Sequence, residues 1–433
     1  MEKLALFNGK PIFKKPFKPY DSLGKEEEAA AAKVVKEKIL SGFIGRAGSH
    51  FLGGKYVKEL EKRFCNYFKI KYAVSFNSAS TALIAAVGAL GIGPGDEVIT
   101  TPYTMSVTAT AVLSNNALPV FADIKEDDFC INPKEIEKKI NKHTKAIAVV
   151  DLLGGSADLG PILKIAKKHN LKIIEDNAQS PGATYKGKYN GTIGDIGIFS
   201  FNANKVIQCG EGGVLVTNNK KYAFRAQLIR NHGEDVVSDL YHSKKIFEPV
   251  IGNNYRLTEV QAAIAVEQFK KMDKLNNHRI KLANYLTSRL KKFDWLIPPV
   301  IRKGDKYVYF VYPVRFLEKK IGIKRSTFAK AMKAEGFPLS EGYGKPMYLN
   351  PLYQKKQIYP NSKFPFVSKE YPHKVDYSKG ICPVVERMYE KELLLTTIIY
   401  PPQTKKEINL FIKAIEKVEE NIESLKKYEK RNK

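Results

Sequence analysis

The chain has 433 residues, 72 Lys and Arg against 45 Asp and Glu, a formal net charge of +27, and 43% hydrophobic residues. That apolar content excludes a disordered chain, and one core rarely serves more than about 250–300 residues, so two or more domains are expected. Sixty of the cations are Lys, scattered and mixed with acids, which fits a solvated surface and argues against both a nucleic-acid footprint and a membrane partner.

Residues 1–25 are polar, carry Pro11, Pro16 and Pro19, and read as an extended arm without the apolar stretch of a signal peptide. From 26 to 270, short apolar runs at 72–76, 97–101, 118–122, 146–152, 172–175, 196–201 and 213–217 alternate with helical patterns at 79–90, 106–113, 133–139 and 161–168. This alternation predicts a mostly parallel sheet with helices on both faces. From 271 to 433 the texture changes: a Lys-rich helix at 272–293, a strand at 307–314, a helix at 325–336 and a strand at 396–401. A last amphipathic helix carries Ile408, Phe411, Ile412, Ile415 and Val418. That is a smaller α+β domain. No apolar run reaches the ~18 residues of a membrane span. Cys65, Cys130, Cys209 and Cys382 form no C-x-x-C pair, so no metal site is expected, and reduced thiols in a cytoplasmic protein are.

Three segments carry chemistry. Ile173-Ile174-Glu175-Asp176-Asn177-Ala178-Gln179 ends an apolar strand in carboxylates, where ligands gather in open α/β sheets; Asp176 alone fits a helix N-cap equally well. Ile198-Phe199-Ser200-Phe201-Asn202-Ala203-Asn204-Lys205 ends another strand and places a Lys in the loop before Gly210-Glu211-Gly212-Gly213. A lysine paired with an aspartate is the minimum apparatus of pyridoxal phosphate chemistry. The amine forms a Schiff base with the aldehyde, and the carboxylate keeps the pyridine nitrogen protonated. Asn77-Ser78-Ala79-Ser80-Thr81 is a small-residue turn into a helix, suited to an anion or simply to a Ser cap. Gly91-Ile92-Gly93-Pro94-Gly95 is no dinucleotide fingerprint, since it follows a helix and contains Pro94.

Together these segments resemble the DegT/DnrJ/EryC1/StrS family, the sugar aminotransferases of the type I pyridoxal-phosphate fold, over roughly residues 35–415. The resemblance rests on Gly191-Thr192-Ile193-Gly194-Asp195, Phe199-Ser200-Phe201, Lys205 and Gly210–Gly213, with Glu175, Asp176 and Gln179 before them. Gly95-Asp96-Glu97-Val98-Ile99 and Asn254-Tyr255-Arg256-Leu257-Thr258-Glu259 add to it. It implies a mostly parallel seven-stranded α/β sheet flanked by helices, a smaller α+β C-terminal domain, and pyridoxal 5'-phosphate as cofactor.

By the same resemblance, Lys205 is the Schiff-base lysine and proton shuttle, Asp176 the partner of the pyridine nitrogen, and Gln179 a neighbour of the ring hydroxyl. Ser78, Ala79, Ser80 and Ser200 hold the phosphate, and Asn254 reaches it from a second subunit, which implies a homodimer with shared active sites. Tyr103, His232, Arg256, Tyr343 and Lys345 are substrate-side candidates, with surface packing as the alternative. Two departures stand out: Ala79-Ser80 replaces a common Gly-Thr pair, and Met105 occupies the register of a stacking aromatic residue, with Tyr103 two positions earlier.

The implied reaction is a ping-pong transfer of an amino group from L-glutamate or L-glutamine to a keto sugar, nucleotide-linked in the first instance. Phe43-Ile44-Gly45 and Phe51-Leu52-Gly53-Gly54 resemble a branch that includes cyclitol aminotransferases, so a cyclitol ketone is an alternative. A dehydratase is another, although those relatives carry His where this chain has Lys205. A basic binding or regulatory protein on the same fold is disfavoured by the intact Lys205 and Asp176. The choice of sugar is expected to lie in loops 236–250 and 342–352.

Overall fold

In the computed structural model, which describes residues 2–241, 248–371 and 374–432, the apolar runs of the first half pair into one sheet. Its strands are β1 (Tyr72–Phe76), β2 (Glu97–Thr100), β3 (Leu118–Phe121), β4 (Thr144–Val150), β5 (Lys172–Asp176), β8 (Ile196–Ser200) and β9 (Gly213–Thr217). Between β5 and β8, β6 (Thr184–Tyr185) and β7 (Lys188–Tyr189) make a separate hairpin. The order across the sheet is β1-β9-β8-β5-β4-β2-β3. β9 runs antiparallel to both neighbours and the other pairs are parallel.

Alternate residues serve opposite faces, as a pleated strand requires. Val98, Ile174 and Ile198 pack with the helices Ala79–Ala89, Val107–Ser114 and Lys220–Arg230. Ile99 and Ile173 join a second core with Pro133–Lys139 and Leu159–Lys168, and Phe199 a third with Lys55–Phe68. Both faces are therefore covered, which is why apolar residues fall on both sides of the strands. The β3 edge is closed by residues past 370, where Tyr377 Oη donates to Pro119 O at 2.8 Å, so the edge is not left open to pairing.

A second sheet, β10-β11-β13-β12, is antiparallel: β10 (Leu296–Ile297), β11 (Tyr312–Phe316), β12 (Ser340–Glu341) and β13 (Leu393–Thr396). The helices Arg325–Ala334 and Lys405–Glu420 pack with it. A helix of 32 residues, Glu259–Leu290, joins the two sheets. Ala262, Val266 and Phe269 pack with the first sheet, and Leu282, Leu286 and Leu290 with the second.

Three expectations shift. The long helix starts at Glu259 rather than 272, because Thr258 and Gln261 form a capping box; residue 270 thus lies inside it. The strand expected at 307–314 is β11, at Tyr312–Phe316. Tyr309 takes φ 56° and Val308 N donates to Gly154 O at 2.8 Å, so this stretch crosses to the first sheet instead. The strand expected at 396–401 is β13, which ends at Thr396, where its pairing with β11 stops. Residues 242–247 of the expected substrate loop 236–250 lie outside the described residues, and Gly233–Tyr241 is helical. No helix among the described residues is long and apolar enough to cross a membrane.

The arm is fastened, not merely laid down. Leu4 is fully buried. Buried Glu335 accepts from Ala5 N at 2.8 Å and Ile12 N at 3.0 Å, and Lys417 Nζ lies 3.0 Å from Glu335 while donating to Lys10 O at 2.7 Å.

Candidate active site

The carboxyl ends of β5 and β8 meet at one place. Adjacent residues on β5 point to opposite sides, and the two carboxylates there have different tasks. Glu175, fully buried, accepts from Gly191 N at 2.8 Å, Ile193 N at 2.6 Å and Gly194 N. It holds the Gly191–Asp195 turn in shape, and Gly197 lets that turn cross β8, since a Cβ there would sit 1.7 Å from Gly191 O. Burial pushes the Glu175 carboxyl up, against the pull of the three N–H donors.

Asp176 faces the other way. Its Oδ2 accepts from Thr108 Oγ1 at 2.9 Å and its Oδ1 from Ala178 N at 3.2 Å. Burial raises its pKa, and these two hydrogen bonds and the Lys205 charge pull it down. Thr108, on the helix after β2, is a site residue that motif reasoning missed; its position beyond a strand's carboxyl end was the available signal.

Lys205 lies in the tight loop from β8 to β9, which is closed by Ala203 N to Gly210 O, Lys205 N to Asn202 O and Cys209 N to Phe201 O, each at 2.9 Å. The side chain is half-buried, with Nζ 4.8 Å from the Phe310 ring centroid. Burial holds its pKa below the usual lysine range, and the attraction of Asp176 opposes that shift. Burial thus works against charge on both groups, while their mutual attraction works for it. Phe310 arrives on the stretch that Tyr309 diverts from the second sheet, so no local pattern could have announced it.

The small-residue turn lies alongside. Ser78 caps Ala79–Ala89 by accepting from Thr81 N at 3.1 Å, and Thr81 Oγ1 donates to Asn77 Oδ1 at 2.6 Å. Gly213 of β9 pairs with Ser200 of β8, and a Cβ on Gly213 would meet Ala79 N at 2.5 Å and Ser78 O at 2.6 Å. The sheet register therefore gathers Ser78, Ala79, Ser80 and Ser200 around one helix N-terminus, where free N–H groups and hydroxyls suit a phosphate. With Asp176 and Lys205 at neighbouring strand ends, these residues fit pyridoxal 5'-phosphate.

Gln179 links the site to the second half of the chain. It accepts from Leu153 N at 2.9 Å and donates to Tyr343 Oη at 2.8 Å, while Tyr343 N donates to Tyr103 Oη at 2.8 Å. Burial pushes Tyr343 up to about 12. Met105 is 57% exposed against 1% for Tyr103, so Met105 is the one with free surface.

The remaining candidates have contacts of their own. Arg256 Nη1 donates to Asn231 Oδ1 at 3.0 Å, and Asn231 Nδ2 donates to Ile44 O at 3.0 Å and Phe51 O at 3.2 Å. Arg230, fully buried, reaches Glu61 at 2.8 Å. These contacts pin the 43–54 loop. His232 N donates to Asn253 O at 3.2 Å, Asn77 N donates to Tyr255 O at 2.9 Å, and Asn254 is exposed. Glu259 accepts from Gly54 N at 3.0 Å and Tyr56 N at 2.7 Å, which explains its place in the motif as a backbone clasp. Lys345 is exposed.

Comparison with known proteins gives the same reading. Residues 42–391 match the DegT/DnrJ/EryC1/StrS aminotransferase family. The chain is 36% identical over 301 residues to GDP-perosamine synthase of Caulobacter vibrioides, covering 69% of this chain and 79% of that one. It is 32% identical over 400 residues to L-glutamine:2-deoxy-scyllo-inosose aminotransferase of Streptoalloteichus tenebrarius, covering 89% and 90%. The crystal structure of S. venezuelae DesV in complex with a ketimine intermediate superposes with a TM-score of 0.77 at 29% identity, over 94% of this chain and 99% of that one. The chain belongs to the DegT/DnrJ/EryC1/StrS aminotransferase family and is a pyridoxal-phosphate-dependent aminotransferase.

Proposed function

We propose that the chain moves an amino group from L-glutamate or L-glutamine to a keto sugar carried on a nucleotide, with Lys205 and Asp176 as its catalytic residues. The observation that carries this reading is the convergence of the Lys205 amine, the Asp176 carboxylate and the Ser78–Ser80 and Ser200 cradle at one sheet end. When bound, pyridoxal 5'-phosphate supplies a ring that withdraws electrons from the substrate carbon. Asp176 holds a proton on the pyridine nitrogen, and Thr108 orients that carboxylate. Lys205 binds the cofactor aldehyde through Nζ and then carries a proton at the same atom. Gln179 would bind near the ring hydroxyl, exposed Met105 would be free to pack against the cofactor, and the cradle would hold the phosphate.

Asn254 would complete the phosphate cradle from a second copy. Its exposure, and that of Ile251 at 82%, support a homodimer with shared sites. Tyr103 and Tyr343 line the sugar side, with His232, Arg256 and Lys345 at its rim. A cyclitol ketone is the second reading, favoured by the near full-length match to the scyllo-inosose enzyme.

The test is a panel of nucleotide-linked keto sugars and cyclitol ketones, offered with glutamate or glutamine and read by mass spectrometry of the aminated product. Amination of a nucleotide-linked member is expected; amination of cyclitols alone selects the second reading, and amination of neither refutes both. A pH dependence follows from Lys205. Capture of an aldehyde needs the neutral amine, and burial lowers its pKa from 10.5. Capture of pyridoxal phosphate by the apoprotein, followed by absorbance, should therefore rise with pH through a midpoint below 10.5; a midpoint at or above that value contradicts the buried-amine account.

A further inference from the structure

Beyond the Glu335 and Lys417 anchor, the arm crosses to the loop that carries Lys205. Lys18 O accepts from Gln403 Nε2 at 3.1 Å. Two residues later, Tyr20 Oη donates to the carbonyl of Val206, the residue that follows Lys205. Ser22 Oγ and Gln208 N then donate to the same oxygen of buried Gln268, at 2.8 and 3.2 Å, and Gln268 Nε2 returns a hydrogen bond to Ser22 O at 2.7 Å. The arm thus grips the Lys205 loop at Val206 and Gln208.

The Tyr20 ring has a second task. The guanidinium of Arg279, fully buried in the long helix, lies 4.7 Å from the Tyr20 centroid and 4.0 Å from that of Tyr400. Among the described residues, Nε and Nη2 of Arg279 have no hydrogen-bond partner, so the two ring faces compensate the buried charge. Nη1 donates to Phe310 O at 3.1 Å, and Tyr400 Oη donates to that same oxygen. Phe310 is the ring beside Lys205 Nζ. Arg279 and Tyr20 therefore reach Lys205 by two routes, through the loop backbone at Val206 and through the ring its amine lies against.

We propose that Tyr20 is a positioning residue for Lys205, with the arm as a strap that ties the Lys205 loop to the second sheet. The proposal rests on the reading of Lys205 as the cofactor-capturing amine. Tyr20→Phe keeps the ring on Arg279 and removes only the hydrogen bond to Val206; Tyr20→Leu removes both. In the full-length apoprotein, Tyr20→Phe should raise amide hydrogen exchange across residues 203–209 about tenfold, the scale of one lost hydrogen bond. Affinity for pyridoxal phosphate should fall by a similar factor, and the pH midpoint of capture should move. The melting temperature should stay within about two degrees of the parent, and Tyr20→Leu should shift exchange and affinity further in the same direction.

Unchanged exchange and affinity in both variants overturns the proposal, as does a loss that merely tracks the melting temperature. Borohydride reduction of the loaded parent followed by peptide mapping checks the underlying reading separately. A label away from Lys205 refutes that reading, while the exchange data from apoprotein still report on the strap.

Discussion

A Lys205→Ala protein is expected to lose at least about 10⁴-fold in kcat and to gain none of the visible absorbance that the parent acquires with pyridoxal phosphate. In the proposed mechanism one amine both captures the cofactor and carries the proton, so no neighbouring group could take over half of its work. Among the described residues, Lys205 has no ion pair within 4 Å, and Phe310 and Asp176 are its notable surroundings. Removing a half-buried amine that lacks a salt bridge costs the fold little, because keeping a charge there is itself unfavourable. The melting temperature of the apoprotein should be no lower than that of the parent. Retained absorbance or retained turnover in this variant would sink the assignment of Lys205.

Asp176→Asn should separate binding from turnover. Asn has the same shape and can still accept from Ala178 N, so the site should bind the cofactor and remain coloured. It cannot hold a full positive charge on the pyridine nitrogen, and kcat should fall by about a thousandfold, as when a preorganised charge is removed. A second readout follows from the sign of the shift on Lys205. Asp176 is the group that raises the lysine pKa against burial, so with Asn in place the midpoint for cofactor capture should drop below the parent value. A variant with parental kcat, or a midpoint that rises, would refute the pairing.

Much of the first sheet was legible because its strands are short apolar runs punctuated by turn residues, and those local signals survive folding unchanged. The ends of β5 and β8 were legible for the same reason: a carboxylate and a lysine follow apolar runs at positions a sheet leaves open to ligands. Several motif residues proved to have backbone tasks. Glu175 clasps the Gly191–Asp195 turn and Glu259 clasps the 54–56 backbone, so they mark the family without facing the cofactor cradle. Thr108 was missed although it follows a strand's carboxyl end, whereas Phe310, Tyr20 and Arg279 escaped notice because each meets the site from a distant part of the chain, and no period or turn encodes such a meeting. The diversion at Tyr309 shows the limit most clearly. Residues 307–314 have a strand-like pattern, yet Val308 bonds to Gly154, and tertiary contact overrides local preference.

The fastening of the arm also says something about the order in which the chain can mature. Lys10 and Lys417 are joined across 407 positions, and Ala5 and Glu335 across 330. The contacts of Ala5 and Ile12 therefore need Glu335 in place, and that of Lys10 needs the helix Lys405–Glu420. Contacts that close such long loops form late, after local helices and sheet pairs are in place. The loop around Lys205 is closed by its own backbone bonds, and the contacts at Val206 and Gln208 would be added to it when the arm docks, as late restraints on a turn already formed.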